Sequence, residues 1–181
     1  KFKSPKFVNV AYNRRYYSII EYIKNKLKFE KILSAHVEGH ERLWLIKKKV
    51  RKKSYLKKWT YANTSHVLNL LLFLLGNFKK VISISKNNFN KNIKVNTSAI
   101  IEFKNNIFST FVSNWSVIGG WNIKIFGSKN TYLINPLEKC VLINKKFKEI
   151  NISTKKYDLI YKKGFYNQAK FFIKIIKTKK Y

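Results

Sequence analysis

The sequence predicts an α+β domain, an antiparallel open-faced sheet with helices packed on one face, and three observations carry that prediction. Apolar residues recur at helical spacing early, midway and at the end of the 181-residue chain. Between the middle and last of these segments they alternate with polar residues in short runs, the period of half-buried strands. Glycine and asparagine turns, not helices, separate those runs, so strand follows strand as in a meander.

Taken in order, residues 7–12 read as a short strand and 17–27 as a helix. Residues 33–46 hold strand-like material and lead into a basic stretch, 47–58, with eight Lys or Arg in twelve positions. Such a run reads as a solvated loop or helix face, with phosphate clamping as the alternative. Val67, Leu68, Leu70, Leu71, Leu72, Phe73, Leu74 and Leu75 predict an apolar helix ended by Gly76, with Thr64 or Ser65 as its cap. That run is about nine residues, well short of the roughly 20 that cross a bilayer. Beyond it the period changes. Residues 81–85 alternate, 98–103 and 107–115 flank Asn105-Asn106 as a hairpin, and 121–126 set Trp and Ile against Asn and Lys. Gly119-Gly120 and residues 127–130 supply turns, and 132–134 and 140–143 continue the meander. Phe165, Ala169, Phe172 and Ile176, with Lys170, Lys174 and Lys177 opposite, predict an amphipathic closing helix.

Composition narrows the function classes. With 45% hydrophobic and 16% aromatic residues the chain fits one domain with a real core, which excludes disorder. The formal net charge of +31 would ordinarily suggest a nucleic-acid or anionic-surface binder. Yet the cations are almost all lysine, with only Arg14, Arg15, Arg42 and Arg51, and Asn, Ile, Phe and Tyr are abundant while Ala, Gly and Pro are scarce. The favoured residues have AT-rich codons, so mutational drift explains much of the basicity without a polyanionic partner. It does not explain why Asp158 is the lone aspartate. Cys140 is the single cysteine, which fits a reducing compartment, and no C-x-x-C suggests zinc. No targeting or spanning segment is visible, so a cytoplasmic location without a membrane partner is the expectation. The chain has no methionine, even at position 1, and we expect a piece of a longer protein.

Candidate chemistry begins with His66. In the first turn of its helix, unpaired N–H groups and the dipole would disfavour a positive ring, and a neutral imidazole is what a general base needs. On position alone the ring reads first as a packed or capping residue, and as a base second. His36, Glu38 and His40 form an H-x-E-x-H cluster whose members share one face of an extended strand. A metal there is geometrically possible, but nothing nearby supplies a further ligand, and no metal is expected. Asn13 and Arg14 follow the first strand. An arginine fork suits a carboxylate or phosphate and an amide suits a hydroxyl, with a solvated connection as the alternative. Trp115 and Trp121 flank a glycine turn, where they either stack on a sugar face or pack as hairpin aromatics.

The segment Ser65 to Gly76, reading SHVLNLLLFLLG, resembles the start of the substrate-domain helix in the Gfo/Idh/MocA family of NAD(P)-dependent oxidoreductases. Three further matches keep the family's order: VAYNRRYY from Val10, GGWNIKIFGSKNTYLINPLEK from Gly119, and KKGFYNQAKFFI from Lys162. The resemblance implies that His66 takes a hydroxyl proton from a sugar or nucleotide-sugar, and that Asn13 and Arg14 contact substrate. It places His36 and Glu38 on a strand bordering the pocket, where they would line sugar hydroxyls beside Trp121. Many family members carry an aspartate four residues before the histidine to orient it; here that position is Ala62, which leaves Asn63 to do so. A subgroup associated with surface-polysaccharide sugars looks similar at this point. The resemblance further implies residues 1–16 as the end of a dinucleotide-binding domain and 17–181 as a substrate-binding and oligomerisation domain, self-associating through the open sheet face. NAD or NADP would be bound mainly by the domain that is missing. No G-x-G-x-x-G spacing exists among the six glycines, and the family's Glu-Lys-Pro motif is absent. Two rivals remain: a basic RNA-binding or ribosomal-type protein, and a non-catalytic remnant or oligomerisation module.

Overall fold

Eight strands form one sheet in the order β2-β3-β4-β1-β5-β6-β7-β8 in the computed structural model, which describes residues 8–49, 53–86 and 96–178. The strands are β1 (Ile32–Gly39), β2 (Phe78–Lys86), β3 (Asn96–Phe103), β4 (Phe108–Asn114), β5 (Trp121–Gly127), β6 (Asn130–Ile134), β7 (Cys140–Asn144) and β8 (Glu149–Ile152). The helices are α1 (Ser18–Lys26), α2 (Leu43–Lys49), α3 (Lys53–Lys57), α4 (Ser65–Leu75), α5 (Lys156–Ile160) and α6 (Phe165–Thr178). The predicted α+β class holds. Two antiparallel meanders, β2-β3-β4 and β5-β6-β7-β8, are joined across β1, which runs parallel to β4 and antiparallel to β5.

The alternation of each strand sorts its residues between two faces. Ala35, Val37, Ile101, Phe103, Phe111, Ile123, Ile125, Tyr132 and Ile134 point to one face and are buried there against Ile19, Ile20 and Ile23 of α1 and Val67, Leu70, Leu71 and Leu74 of α4. The opposite face is open and leaves Ile82, Ile84, Ile100 and Phe108 more than half exposed. A smaller cluster of Leu43, Ile46, Leu56 and Trp115 seats α2 and α3 at one end of the sheet.

Helix ends are tied by side chains from distant segments. Both Asp158 oxygens accept backbone N–H bonds, from Ser18 at the start of α1 (2.6 Å) and from Gly164 just before α6 (2.9 Å). The lone aspartate thus fastens the first and last helices together. Gly164 is needed there: its φ is +79°, and a Cβ would lie 2.1 Å from the Asn13 carbonyl oxygen. At the other end of α4, Lys24 donates to the carbonyls of Phe73 and Leu74, where a cation complements the helix C-terminus.

Several expectations are corrected. Residues 8–12 form no strand and lead into a one-turn helix, Asn13–Tyr16; residue 7 lies outside the described residues. The strand-like material of 33–46 is β1, and the stretch ends in the start of α2. The basic stretch is helical on both sides of residues 50–52, which lie outside the described residues. Most consequential, neither Thr64 nor Ser65 caps α4. A wide π-type turn, Thr60–Thr64, runs straight into it, with Thr64 itself helical. The Thr64 hydroxyl instead donates to Glu41, and the Ser65 hydroxyl to the Tyr61 carbonyl. α6 carries the predicted stripe, but none of its residues is buried.

Candidate functional site

A cavity of about 370 Å³ opens at the C-terminal end of β1, where the chain leaves the sheet. Residues 40–43 are strapped to the β4–β5 connection: Glu41 N–H donates to the Asn114 carbonyl, Leu43 N–H to that of Trp115, and His40 N–H to that of Gly120. The strap brings Glu41 and Arg42 to one wall of the cavity. Arg14 enters from the one-turn helix, Trp121 from the start of β5, and Trp59 and Asn63 from the helical approach to α4. Glu138 closes the wall from the β6–β7 turn.

Aromatic stacking orders one side of this site. The Arg14 guanidinium lies over the Trp121 ring, 4.2 Å from its centroid. His66 stacks on Trp121 at 6.4 Å between centroids, and Tyr12 meets the imidazole edge-on at 5.1 Å. Arg14 forms no ion pair among the described residues, so a planar cation stands at the cavity with its charge available. Burial lowers its pKa, against the pull of Tyr17, Glu138 and Glu41. Burial, then the Arg14 charge, lowers the pKa of His66, keeping the ring neutral. The neutral imidazole that sequence reasoning derived from a helix N-terminus is therefore present for a different reason, since the preceding helical turn has already used that end.

Glu41 dominates the other side. Only 6% exposed, its carboxylate accepts both oxygens' bonds from Asn63 Nδ2 (3.0 and 3.1 Å) and one from Thr64 Oγ1 (3.0 Å). Burial raises its pKa; the indoles of Trp59 and Trp121 and the Thr64 and Asn63 donors offset this only in part. Trp59 Nε1 approaches the carboxylate without reaching hydrogen-bond geometry and is buried with no partner among the described residues.

The structure brings together some of the expected residues and separates others. Arg14, Asn63 and Trp121 line the cavity; His66 stands behind Trp121, its Nδ1 buried with no hydrogen-bond partner. Asn63 does not orient His66, because its amide is committed to Glu41. Asn13 does not line the cavity and donates to the Lys163 carbonyl, a tie to the start of α6. His36 and Glu38 fall on the open face, because Ala35 and Val37 between and beside them take the buried one. There His36 Nδ1 contacts Thr110 Oγ1 at 2.7 Å, and Glu38 accepts from Asn122 Nδ2 at 2.6 Å. Both imidazoles approach Glu38 at 3.4 Å. His40 Nδ1 accepts the Asn114 N–H, which places the ring proton on Nε2 and turns that nitrogen into a donor. Among the described residues no group of three His, Cys, Asp or Glu is placed to hold a metal ion.

Glu41, Arg42, Trp59 and Glu138 are the cavity residues that sequence reasoning missed. A signal existed: the chain has four arginines and eight acidic residues, and two of each converge here.

A family model for the GFO/IDH/MocA C-terminal domain matches residues 39–133. No curated protein matches the sequence. Among solved structures, UDP-N-acetylglucosamine 3-dehydrogenase GnnA from Acidithiobacillus ferrooxidans superposes with a TM-score of 0.75 at 12% identity, over 96% of this chain and 54% of its own. Levoglucosan dehydrogenase in complex with NADH and L-sorbose gives 0.65 at 13% identity, over 80% and 47%. An oxidoreductase from Agrobacterium radiobacter in complex with NAD+, L-tartaric acid and magnesium gives 0.62 at 15%, over 81% and 46%. The chain thus spans about half the length of these proteins. With the family model covering more than half of it and the same open-faced sheet, the chain belongs to the GFO/IDH/MocA family, as its C-terminal domain.

Proposed function

We propose that this chain is the substrate-binding part of a nicotinamide-dependent oxidoreductase acting on a hydroxyl or keto group of a sugar or nucleotide-sugar. One observation carries the reading: a cavity holding Arg14, Glu41, Asn63 and two tryptophans abuts a neutral imidazole. Tryptophan faces suit the apolar faces of a sugar ring, and the polar groups suit its hydroxyls. Arg14, stacked and unpaired, suits a phosphate or carboxylate on the same molecule. His66 stands behind Trp121 at the edge of this cavity and is the residue we assign to take a hydroxyl proton, its lowered pKa favouring the neutral base.

A dinucleotide does not fit on this chain's own residues, which include no glycine-rich phosphate turn. NAD or NADP would be held by a separate domain, of which residues 1–16 form the end, and would there supply the hydride acceptor. Residues 17–181, with Arg14 reaching in from the turn before them, bind substrate and, through the open face, a second copy of the chain. A cytoplasmic enzyme of surface-polysaccharide synthesis is the setting we favour. Among the described residues no helix is long and apolar enough to cross a membrane. Calorimetric titration of the chain with UDP-N-acetylglucosamine, levoglucosan and NADH tests the reading. We expect one of the two sugar ligands to bind, Arg14→Gln to weaken the nucleotide-sugar about tenfold or more, and NADH not to bind. Failure of both sugar ligands overturns it.

A further inference from the structure

Glu41 is the one buried carboxylate whose surroundings the fold alone does not explain. Asp158, the other buried acid aside from it, has both oxygens occupied by the backbone N–H groups that end two helices. Glu41 has neutral side-chain donors, Asn63 and Thr64, with the Trp59 and Trp121 indoles beside it; the Arg14 charge acts on it across the cavity, but among the described residues no Lys or Arg forms an ion pair with it. In a chain with 39 Lys and Arg, a compensating cation was easy to come by. A buried carboxylate without a direct ion-pair partner costs stability, and a fold that needed only packing here would have been better served by an apolar residue. The carboxylate also keeps acceptor capacity: two oxygens offer about four lone-pair sites. Three contacts from Asn63 and Thr64 leave room for another donor, the wall they leave open is the cavity, and the Trp59 N–H beside it lacks a partner as well.

A carboxylate and the Trp59 N–H, which makes no hydrogen bond among the described residues, in a cavity walled by Trp59 and Trp121, form a site for vicinal hydroxyls. The geometry points to Glu41 as a substrate-contacting, specificity-determining residue that accepts hydrogen bonds from a sugar diol, with Trp59 Nε1 donating to one of the same oxygens. Arg14 takes the anionic part of the molecule and Glu41 the sugar ring. The inference rests on the sugar-substrate reading above but commits one residue to one moiety. It also explains why no Lys or Arg among the described residues pairs directly with Glu41: such a partner would occupy the acceptor sites the hydroxyls need.

The experiment is a calorimetric comparison of UDP-N-acetylglucosamine with UDP alone, on the chain and on Glu41→Gln, Trp59→Phe and the control Glu102→Gln. Wild type is expected to bind the sugar-bearing ligand more tightly than UDP. Glu41→Gln is expected to erase that preference, a loss of about tenfold or more for a bond to a charged acceptor, with UDP binding unchanged; Trp59→Phe should lose a smaller part. Glu102→Gln, on the open face, should change neither. A Glu41→Gln protein that keeps the preference overturns the inference while leaving the sugar-substrate reading intact, and so does one that loses both ligands equally. A wild type that binds UDP no less tightly than its sugar conjugate overturns the inference outright. If Glu41→Gln does not fold, the Glu41 side-chain carboxyl resonance of the wild type decides: it must shift with the sugar-bearing ligand and not with UDP.

Discussion

Glu38 and Glu41 lie three residues apart and live in opposite worlds. Glu38 projects from β1 onto the open face, where burial works to raise its pKa but Asn122, His36 and His40 outweigh it and hold the carboxylate below its usual range. Glu41 follows the strand's end, turns under the sheet into the cavity, and there burial prevails over its donors and pushes the pKa up. The contrast extends to the two regions they belong to. One sheet face is sealed by α1 and α4; the other presents half-exposed isoleucines and phenylalanine among polar groups that satisfy one another. Polar pairing along a wet surface and polar burial beside a cavity thus come from neighbouring positions of one strand and its exit.

The largest effect separating the two regions is in packing. Leu71 of α4 is 0% exposed, and Leu71→Ala should cost about 2 to 5 kcal/mol in chemical denaturation, from lost burial plus the cavity left behind. Ile82 on the open face is 58% exposed, and Ile82→Thr, which keeps the β-branch, should stay within about 0.5 kcal/mol. An Ile82→Thr cost as large as the Leu71 one would break the comparison, showing that the open face is sealed in solution by another molecule.

A smaller effect, in pH, sharpens the contrast of the two glutamates. Glu38, with a folded pKa below 4.5, contributes stability that is present above that value and is lost as pH falls through the folded pKa. Glu41, with a folded pKa above 4.5, works with the opposite sign: its contribution is complete below that value and is lost as pH rises through the folded pKa. Melting temperatures of Glu38→Gln and Glu41→Gln from acid to neutral pH should therefore diverge. The Glu38 variant falls increasingly behind wild type as pH rises, and the Glu41 variant gains on it. Parallel curves would show that the two carboxylates titrate in like surroundings.

What could be read from the sequence follows how local each determinant is. The α4 stripe and the Asn105-Asn106 hairpin depend on near neighbours and were legible; the turn is completed by a positive φ of 61° at Asn106. The insertion of β1 between β4 and β5 was not, because Val37 pairs with Phe111 and Ile123, more than seventy residues away. A contact 23 residues away hid the start of α4: Thr64 looks like a cap until Glu41 takes its hydroxyl. β8 and α5 escaped notice because four and five residues carry too little periodicity. In the site, Arg14, Asn63, His66 and Trp121 were legible through motif resemblance and do converge. His36 and Glu38 were correctly placed on one face of a strand, but alternation says which residues share a face, not which face is covered. Glu41 left no local trace, since only the fold shows it is buried.

The smallest effect tests whether the open face is wet. Lys79 and Glu102 pair across the β2–β3 edge at 2.6 Å, with side chains 54% and 20% exposed. Coulomb attraction in water is offset there by the entropy of holding two side chains, so Glu102→Gln should cost less than about 1 kcal/mol at low salt. Glu102 also offsets part of the general repulsion of a +31 chain, and added salt screens that contribution along with the pair. Near 1 M salt, where the screening length falls to about 3 Å, the cost should disappear. A cost that persists at high salt would mean that ions and water do not reach the pair. The face would then be covered, and the division between a sealed and an open side of this sheet would hold only for the isolated chain.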